Sequence, residues 1–200
     1  MSHFYWSKSA SVAYAASYSE SGTTMSDEFF TNSSSFQVAG ETAGTWRTLN
    51  DAEWEYLLDT RTNATSLRAW KELDDGAHNG LVILPDGTEN PSTVMESITS
   101  TADLATSGAV FLPAAGYRDG TDVYDASWGY CWSGTISGFS VDYACFVFFT
   151  SGPVEVRNSS RDSGHSVRLV RSLQDLSSPT TGEDRKHSGR VRSENRHPTR

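Results

Sequence analysis

The chain has 200 residues, 12% of them aromatic, and 16 Lys/Arg against 25 Asp/Glu give a formal charge of −9. That length suffices for one domain with a real core, and that charge argues against nucleic acid or an anionic membrane surface as partner. Two cysteines, Cys131 and Cys145, make no disulfide framework, and no CxxC or Cys/His metal spacing exists.

Residues 1–44 are rich in Ser, Ala, Thr and aromatics. Phe4, Tyr5 and Trp6 read as one short strand, and Val12, Ala13 and Tyr14 as another. Residues 27–32 read as a turn that pins Phe29 and Phe30 on the core. The start, MSHFYWSKSAS, has no apolar signal core. Either the protein is not exported by that route, or its original start lies further upstream. No apolar run reaches the length of a membrane helix.

Residues 50–61 carry the strongest helix signal. Asn50 caps the first turn, and Glu53 reaches back to complete a capping box. Leu49 and Trp54 occupy staple positions, and Asp51 and Glu53 suit the positive helix end. Trp54, Leu57 and Leu58 form an apolar stripe, with Arg61 near the negative end. A second helix is expected over 65–73, with Leu67, Trp70 and Leu73 inward and Asp74-Asp75-Gly76 ending it. Residues 81–84 (LVIL) form a buried strand stopped by Pro85-Asp86-Gly87. Residues 89–91 read as a loop and 101–106 as a short helix halted by Gly108. Residues 109–112 are a second buried strand, ended by Pro113. Residues 116–125 read as a polar loop. Its Asp119, Asp122 and Asp125 suit loop solvation, and their spacing is not that of an EF-hand.

Residues 128–171 organise the rest. Trp128, Tyr130 and Trp132 form an aromatic cluster, followed by turn residues Gly134, Ser137 and Gly138. The apolar run 143–149 reads as a strand, the turn Ser151-Gly152-Pro153 follows, and 154–156 is the next strand. Residues 166–171 alternate, with Val167 and Leu169 on one face and Arg168 and Val170 on the other. Three short strands make an antiparallel meander. Alternation puts Phe146 and Phe148 on one face, opposite Cys145, Val147 and Phe149. That first face is either a second core layer or an exposed aromatic patch for a ligand. Arg168 and Arg171 are expected in structural ion pairs. The cysteines are two semi-buried thiols or one bond between neighbouring strands.

Catalytic patterns are missing. There is no GxSxG, and none of His3, His78, His165, His187 and His197 has a base-orienting carboxylate placed by the sequence. No catalytic residue, metal or cofactor is assigned. From Ser172 onward there are six Lys/Arg, four Asp/Glu and no aromatics. This tail is expected to be disordered and solvated. Subtracting it leaves ten basic and twenty-one acidic residues, about −11 for the body.

Within 128–171, GYCWSGT resembles a "GYYWSST" signature and RDSGHSVRLVR resembles an "R..G.SVRLVR" ending. These mark a group of bacterial and phage proteins related to formylglycine-generating enzymes. The group includes the Fibrobacter-type paralogous domains and the variable proteins of diversity-generating retroelements. TWRTLNDAEWEYLLDTR, GLVILPDG and GAVFLPAAGYRDGT extend the resemblance over residues 45–171. The resemblance implies an α+β, C-type-lectin-like fold, with one or two helices on a small twisted antiparallel sheet and long loops. It divides the chain into a segment 1–44, expected to be trimmed at its start, a domain 45–171 and the tail 172–200.

The departures matter. Cys131 replaces the second Tyr of the signature, and neither cysteine sits in the enzymes' reactive motif, so an enzyme is not expected. Glu89-Asn90-Pro91 is not an "EPN" loop and no "WND" block exists, so calcium-dependent sugar binding is unsupported. In the retroelement relatives, variable positions derive from asparagine codons altered at adenine, which cannot yield Trp, Gln, Lys, Glu or Met. From Gly134 to Leu169 only Glu155 belongs to that set. Trp132, Val147, Phe149, Gly164 and Val167 then read as scaffold.

The implied function is a receptor-binding or adhesin-like protein with a variable-type surface. Its partner is a protein or glycan on a cell surface, and its place is a cell surface, the medium or a phage particle. The implied site comprises Tyr130, Cys131, Ser137, Phe139, Asp142, Phe146, Phe148, Arg157, Ser159, Asp162 and His165, with aromatics supplying area and polar groups specificity. The alternatives are a fixed carbohydrate-binding or structural surface paralogue and a divergent formylglycine-generating-type enzyme.

Overall fold

The computed structural model describes residues 45–140 and 142–171, and the backbone of His3–Tyr5. The readings of 12–14, 27–32 and the 172–200 tail lie outside the described residues. The architecture is mixed, mostly strands with a few short helices, which agrees with the expected α+β class.

The capping box forms as its sequence requires. Asn50 Oδ1 accepts the Glu53 N–H at 2.8 Å, and Glu53 Oε2 accepts the Asn50 N–H at 2.9 Å. Helix α1 (Asp51–Glu55) then widens into one π-helical turn (Tyr56–Thr60), closed by the Arg61 N–H donating to Tyr56 O at 3.0 Å. Trp54 and Leu58 point inward and are buried.

Glu53 also takes a two-pronged bond from Arg47, at 2.7 Å for each prong. That fork is the main reason its carboxyl is held below the usual range, with partial burial opposing. A depressed carboxyl stabilises the fold fully above its unfolded value of about 4.3, and the gain is lost as pH falls through the folded value. Glu53→Gln should cost about 1 kcal/mol at pH 7, a modest figure because the pair is part-exposed. The gap between the two proteins should narrow as pH falls below about 4, and equilibrium urea melts at pH 7 and 3.5 check this. A constant gap would refute it.

Strands β2 (Arg68–Leu73), β3 (His78–Ile83) and β4 (Val110–Pro113) make a three-stranded antiparallel sheet. The helix expected over 65–73 is therefore corrected. Only a short 3-10 turn (Ala64–Ser66) precedes β2, which pairs residue for residue with β3. Asp74, Asp75 and Gly76 all take positive φ and form the hairpin turn. Trp70 and Leu73 are an odd number apart, so they face opposite sides of the strand. Trp70 packs with Trp54 and Leu81, and Leu73 with Val82 and Ile98.

Helix α2 (Pro91–Ser97) begins inside what read as a loop, with Pro91 in its first turn. Helix α3 (Thr101–Ser107) is stopped by Gly108 at φ +66, as expected. Both lie on the outer face of the small sheet, where Met95, Ile98 and Leu104 cover Leu73, Val82 and Leu84.

Among the described residues the large sheet has seven strands. β5 (Tyr117–Asp119) and β6 (Asp122–Tyr124) form a hairpin where a polar loop was expected. β7 (Gly129–Ile136), β8 (Tyr143–Phe149) and β9 (Val154–Ser160) form an antiparallel meander in which β8 and β9 were expected, while β7 takes the place of the strand expected over 166–171. β10 (Gly164–Ser166) runs parallel to β7 and antiparallel to β5, giving the order β6-β5-β10-β7-β8-β9. β1 (His3–Tyr5) pairs with β10 as well. The strand expected over 166–171 is thus mostly absent. Among the described residues beyond β10 only Val170 pairs, in an isolated bridge to Arg47.

One face of the large sheet packs on α1 and the small sheet. Cys131, Val147 and Phe149 meet Trp54, Leu58, Leu81, Ile83 and Leu112 there. The candidate site lies on the other face.

Candidate functional site

Register decides which residues share the outer face. Tyr130 stands opposite Phe148 and Trp132 opposite Phe146, while Arg157 faces Phe146 and Ser159 faces Ala144. His165 on β10 meets the same rings. It stacks on Trp132 at 4.0 Å and reaches Phe146 at 4.6 Å and Tyr130 at 5.4 Å. Tyr130, Phe146, Phe148, Arg157, Ser159 and His165 are thereby gathered on one face, six of the eleven residues assigned from sequence.

The other five lie elsewhere. Cys131 points to the inner face, buried against the Val147 cluster. Ser137, Phe139 and Asp142 belong to the β7–β8 connection. There the Ser137 hydroxyl accepts the Phe139 N–H at 3.1 Å, and Phe139 is 87% exposed. Asp162 sits exposed after β9. The Arg161 N–H donates to Asp142 O at 2.9 Å, which holds that loop against the β7–β8 connection.

The expectation of Phe146 and Phe148 as an exposed patch is corrected. They are 5% and 4% exposed, in a cluster with Tyr130, Trp132 and Ala144. The second core layer is what the structure contains. What reaches solvent is the edge of that layer. Trp128 stands edge-on to Phe148 at 5.7 Å and is 42% exposed. Arg157 lies over the Phe148 ring at 3.9 Å and pairs with Glu155. On the other side, Tyr130 leads to Tyr117 at 5.0 Å and then to Tyr124, stacked at 5.5 Å and 45% exposed.

The result is a row of rings, Tyr124–Tyr117–Tyr130–Phe148–Trp128, with both ends in solvent. No family model, no curated protein and no solved structure matches this chain.

The polar groups along the row are fixed. The Tyr130 hydroxyl donates to Asp125 Oδ2 at 2.9 Å. Burial, then this bond, raises the Tyr130 phenol well above its ordinary range, so it stays a donor. Asp119 and Asp122 face each other across the β5–β6 turn. Among the described residues they join no cluster that would hold a metal. Tyr117, Tyr124, Asp125 and Trp128 were not assigned to the site from sequence. The signal was the mirrored pair Tyr-Arg-Asp and Asp-Val-Tyr about Gly120-Thr121, a hairpin pattern.

The cysteines are in no disulfide, and both are buried. Burial pushes the Cys131 thiol up to about 12, against opposing effects of the Arg168 backbone N–H and charge. Arg168 has no ion pair among the described residues, contrary to expectation. The Arg171 guanidinium lies over the Trp46 ring at 5.3 Å.

Proposed function

We propose that the chain is a ligand-binding protein, receptor-binding or adhesin-like, built on a C-type-lectin-like scaffold of the retroelement-variable kind. The row of rings on the outer face carries this reading. Its exposed ends, Tyr124 and Trp128, offer rigid aromatic area, and Arg157, Glu155 and Asp122 offer polar contacts beside them. Exposed rings flanked by carboxylates suit a glycan, whose C–H faces stack on aromatics and whose hydroxyls donate to acids. A protein epitope on a bacterial or host cell is the other ligand of this class. Among the described residues no helix is long and apolar enough to cross a membrane.

The formylglycine-generating alternative needs a reactive thiol. A buried Cys131 with a raised pKa supports the binding reading over that one.

The test screens the full chain against immobilised glycans and cell-surface proteins, with Trp128→Ala and Arg157→Ala alongside. Each substitution should weaken a genuine hit about 30-fold, the scale of an interface hot spot. A hit that both variants bind normally would remove this surface from the function. Sequencing the gene's surroundings decides the retroelement part. A near-copy of the 128–171 coding segment, differing at adenines and beside a reverse transcriptase, is expected. An intact locus without one would leave a fixed lectin-like domain.

A further inference from the structure

Strand β9 ends the large sheet on one side. It is seven residues long and pairs with β8 residue for residue, without a bulge. Two hydrogen bonds beyond the ends of that pair fix which backbone groups face β8. The Thr150 N–H donates to Pro153 O at 3.0 Å, and the Arg161 N–H to Asp142 O at 2.9 Å. In an antiparallel ladder, narrow pairs that exchange hydrogen bonds alternate with wide pairs that do not. Counting inward from either end makes Phe148–Glu155, Phe146–Arg157 and Ala144–Ser159 the narrow pairs. The N–H and C=O groups of Val154, Val156 and Asn158 therefore point away from β8. Among the described residues no group bonds to them.

An open edge of this length is a template for another strand unless something guards it. Proteins guard edges with Pro, Lys, a bulge or a covering element, and β9 contains no Pro, Lys or bulge. Its only charges are Glu155 and Arg157, which pair with each other. Both stand on the outer face, where Arg157 lies over the Phe148 ring. They have opposite signs and flank Val156 symmetrically. A like-charged pair there would repel a second copy of the strand, whereas this pair matches one.

We propose that β9 pairs antiparallel with β9 of a second copy of this chain, about a two-fold axis at Val156. In that register Val156 meets its twin and Val154 meets Asn158 of the second copy. These become narrow pairs, so every outward N–H and C=O finds a partner. Glu155 then stands opposite Arg157 of the second copy, and Arg157 opposite its Glu155. Both are wide pairs, in which side chains come closest and opposite charges attract. Moving the axis to residue 155 or 157 sets Glu155 against Glu155 or Arg157 against Arg157, so the charges select one register. The contact is isologous and closes at two copies. It joins the two large sheets into one and leaves both rows of rings on the same side. The pairing does not depend on what those rings bind.

Sedimentation velocity on the full chain tests this. The parent should dimerise as concentration rises. Glu155→Arg and Arg157→Glu each set like charges opposite each other twice, so either alone should weaken association about tenfold or more. The two side chains are 47% and 45% exposed, so both variants should fold. Mixed one to one, they should associate as well as the parent, because each then meets its opposite charge in the other copy. Hydrogen exchange on the parent needs no variant. The amides of Val154, Val156 and Asn158 should slow with concentration, while those of Glu155 and Arg157 stay slow throughout. A parent that remains monomeric would overturn the proposal. So would a dimer that either reversal leaves intact, a mixture no better associated than its components, or outward amides that exchange freely in the dimer.

Discussion

Trp132→Ala should destabilise the fold by about 3–5 kcal/mol, the range for deleting a fully buried large aromatic. Trp132 is 0% exposed, stacks on His165 at 4.0 Å with planes 20° apart, and meets Phe146 edge-on at 6.1 Å. Its removal strips one side of His165 and opens a void under Phe146, and neither neighbour can close it without leaving its own ring contacts. Trp128→Ala is the matched control. Trp128 is 42% exposed and its contact with Phe148 is a single edge-to-face pair, worth about 0.5–1.5 kcal/mol. Urea melts of both variants give the difference directly. A domain of this size holds about 5–15 kcal/mol in total, so a loss of about 3–5 kcal/mol is roughly a fifth of it or more. A loss near 1 kcal/mol for both would mean that the outer face is a loosely covered surface and not a core layer. The ligand would then meet Phe146 and Phe148 themselves.

This contrast shows what the sequence could and could not say about the site. Period-two alternation correctly put Phe146 and Phe148 on one side and Val147 and Phe149 on the other. Alternation fixes sides but is silent on what lies over each side, because a strand buried on both faces and one buried on a single face can carry the same aromatic residues. Exposure of the rings was therefore undecidable, and the exposed groups turned out to be Trp128 and Tyr124, at the row's ends. The hairpin bearing Tyr124 was hidden because its strands are three residues long and mostly polar.

The fold was legible where a local interaction dictates it. Asn50 and Glu53 satisfy each other within one turn, and Gly108 stops α3 at a backbone angle that suits glycine. It was illegible where a distant partner decides. Leu67, Trp70 and Leu73 keep a three-residue spacing that fits a helix face, yet pairing with β3 makes the segment a strand. β10 likewise owes its place to β7 and β5, far away in the chain, and the alternation beyond Ser166 finds almost no partner to ladder with.

Alkaline pH should expose the state of Cys131. In the unfolded chain a thiol ionises near pH 8.5, whereas in the fold burial holds this one up to about 12. The unfolded state therefore sheds a proton that the folded state keeps. Stability from this group is complete below about 8.5 and falls as pH rises toward the folded value, by at most about 1.4 kcal/mol per pH unit. The buried phenols of Tyr117 and Tyr130 are raised too, but an unfolded phenol ionises only near 10. The window from 8.5 to 10 thus reports mainly on thiols. Cys131→Ala should start lower, from the lost packing, and then fall less steeply than the parent across that window. Parallel curves would mean that the thiol is not sealed, and fast stoichiometric labelling at pH 8 would say the same. A thiol held up to about 12 is almost wholly protonated at pH 7, which leaves little thiolate to act as a nucleophile. A shallow variant slope would thus count against the enzyme alternative without any substrate having to be guessed. Parallel curves with fast labelling would return Cys131 to the list of groups able to react.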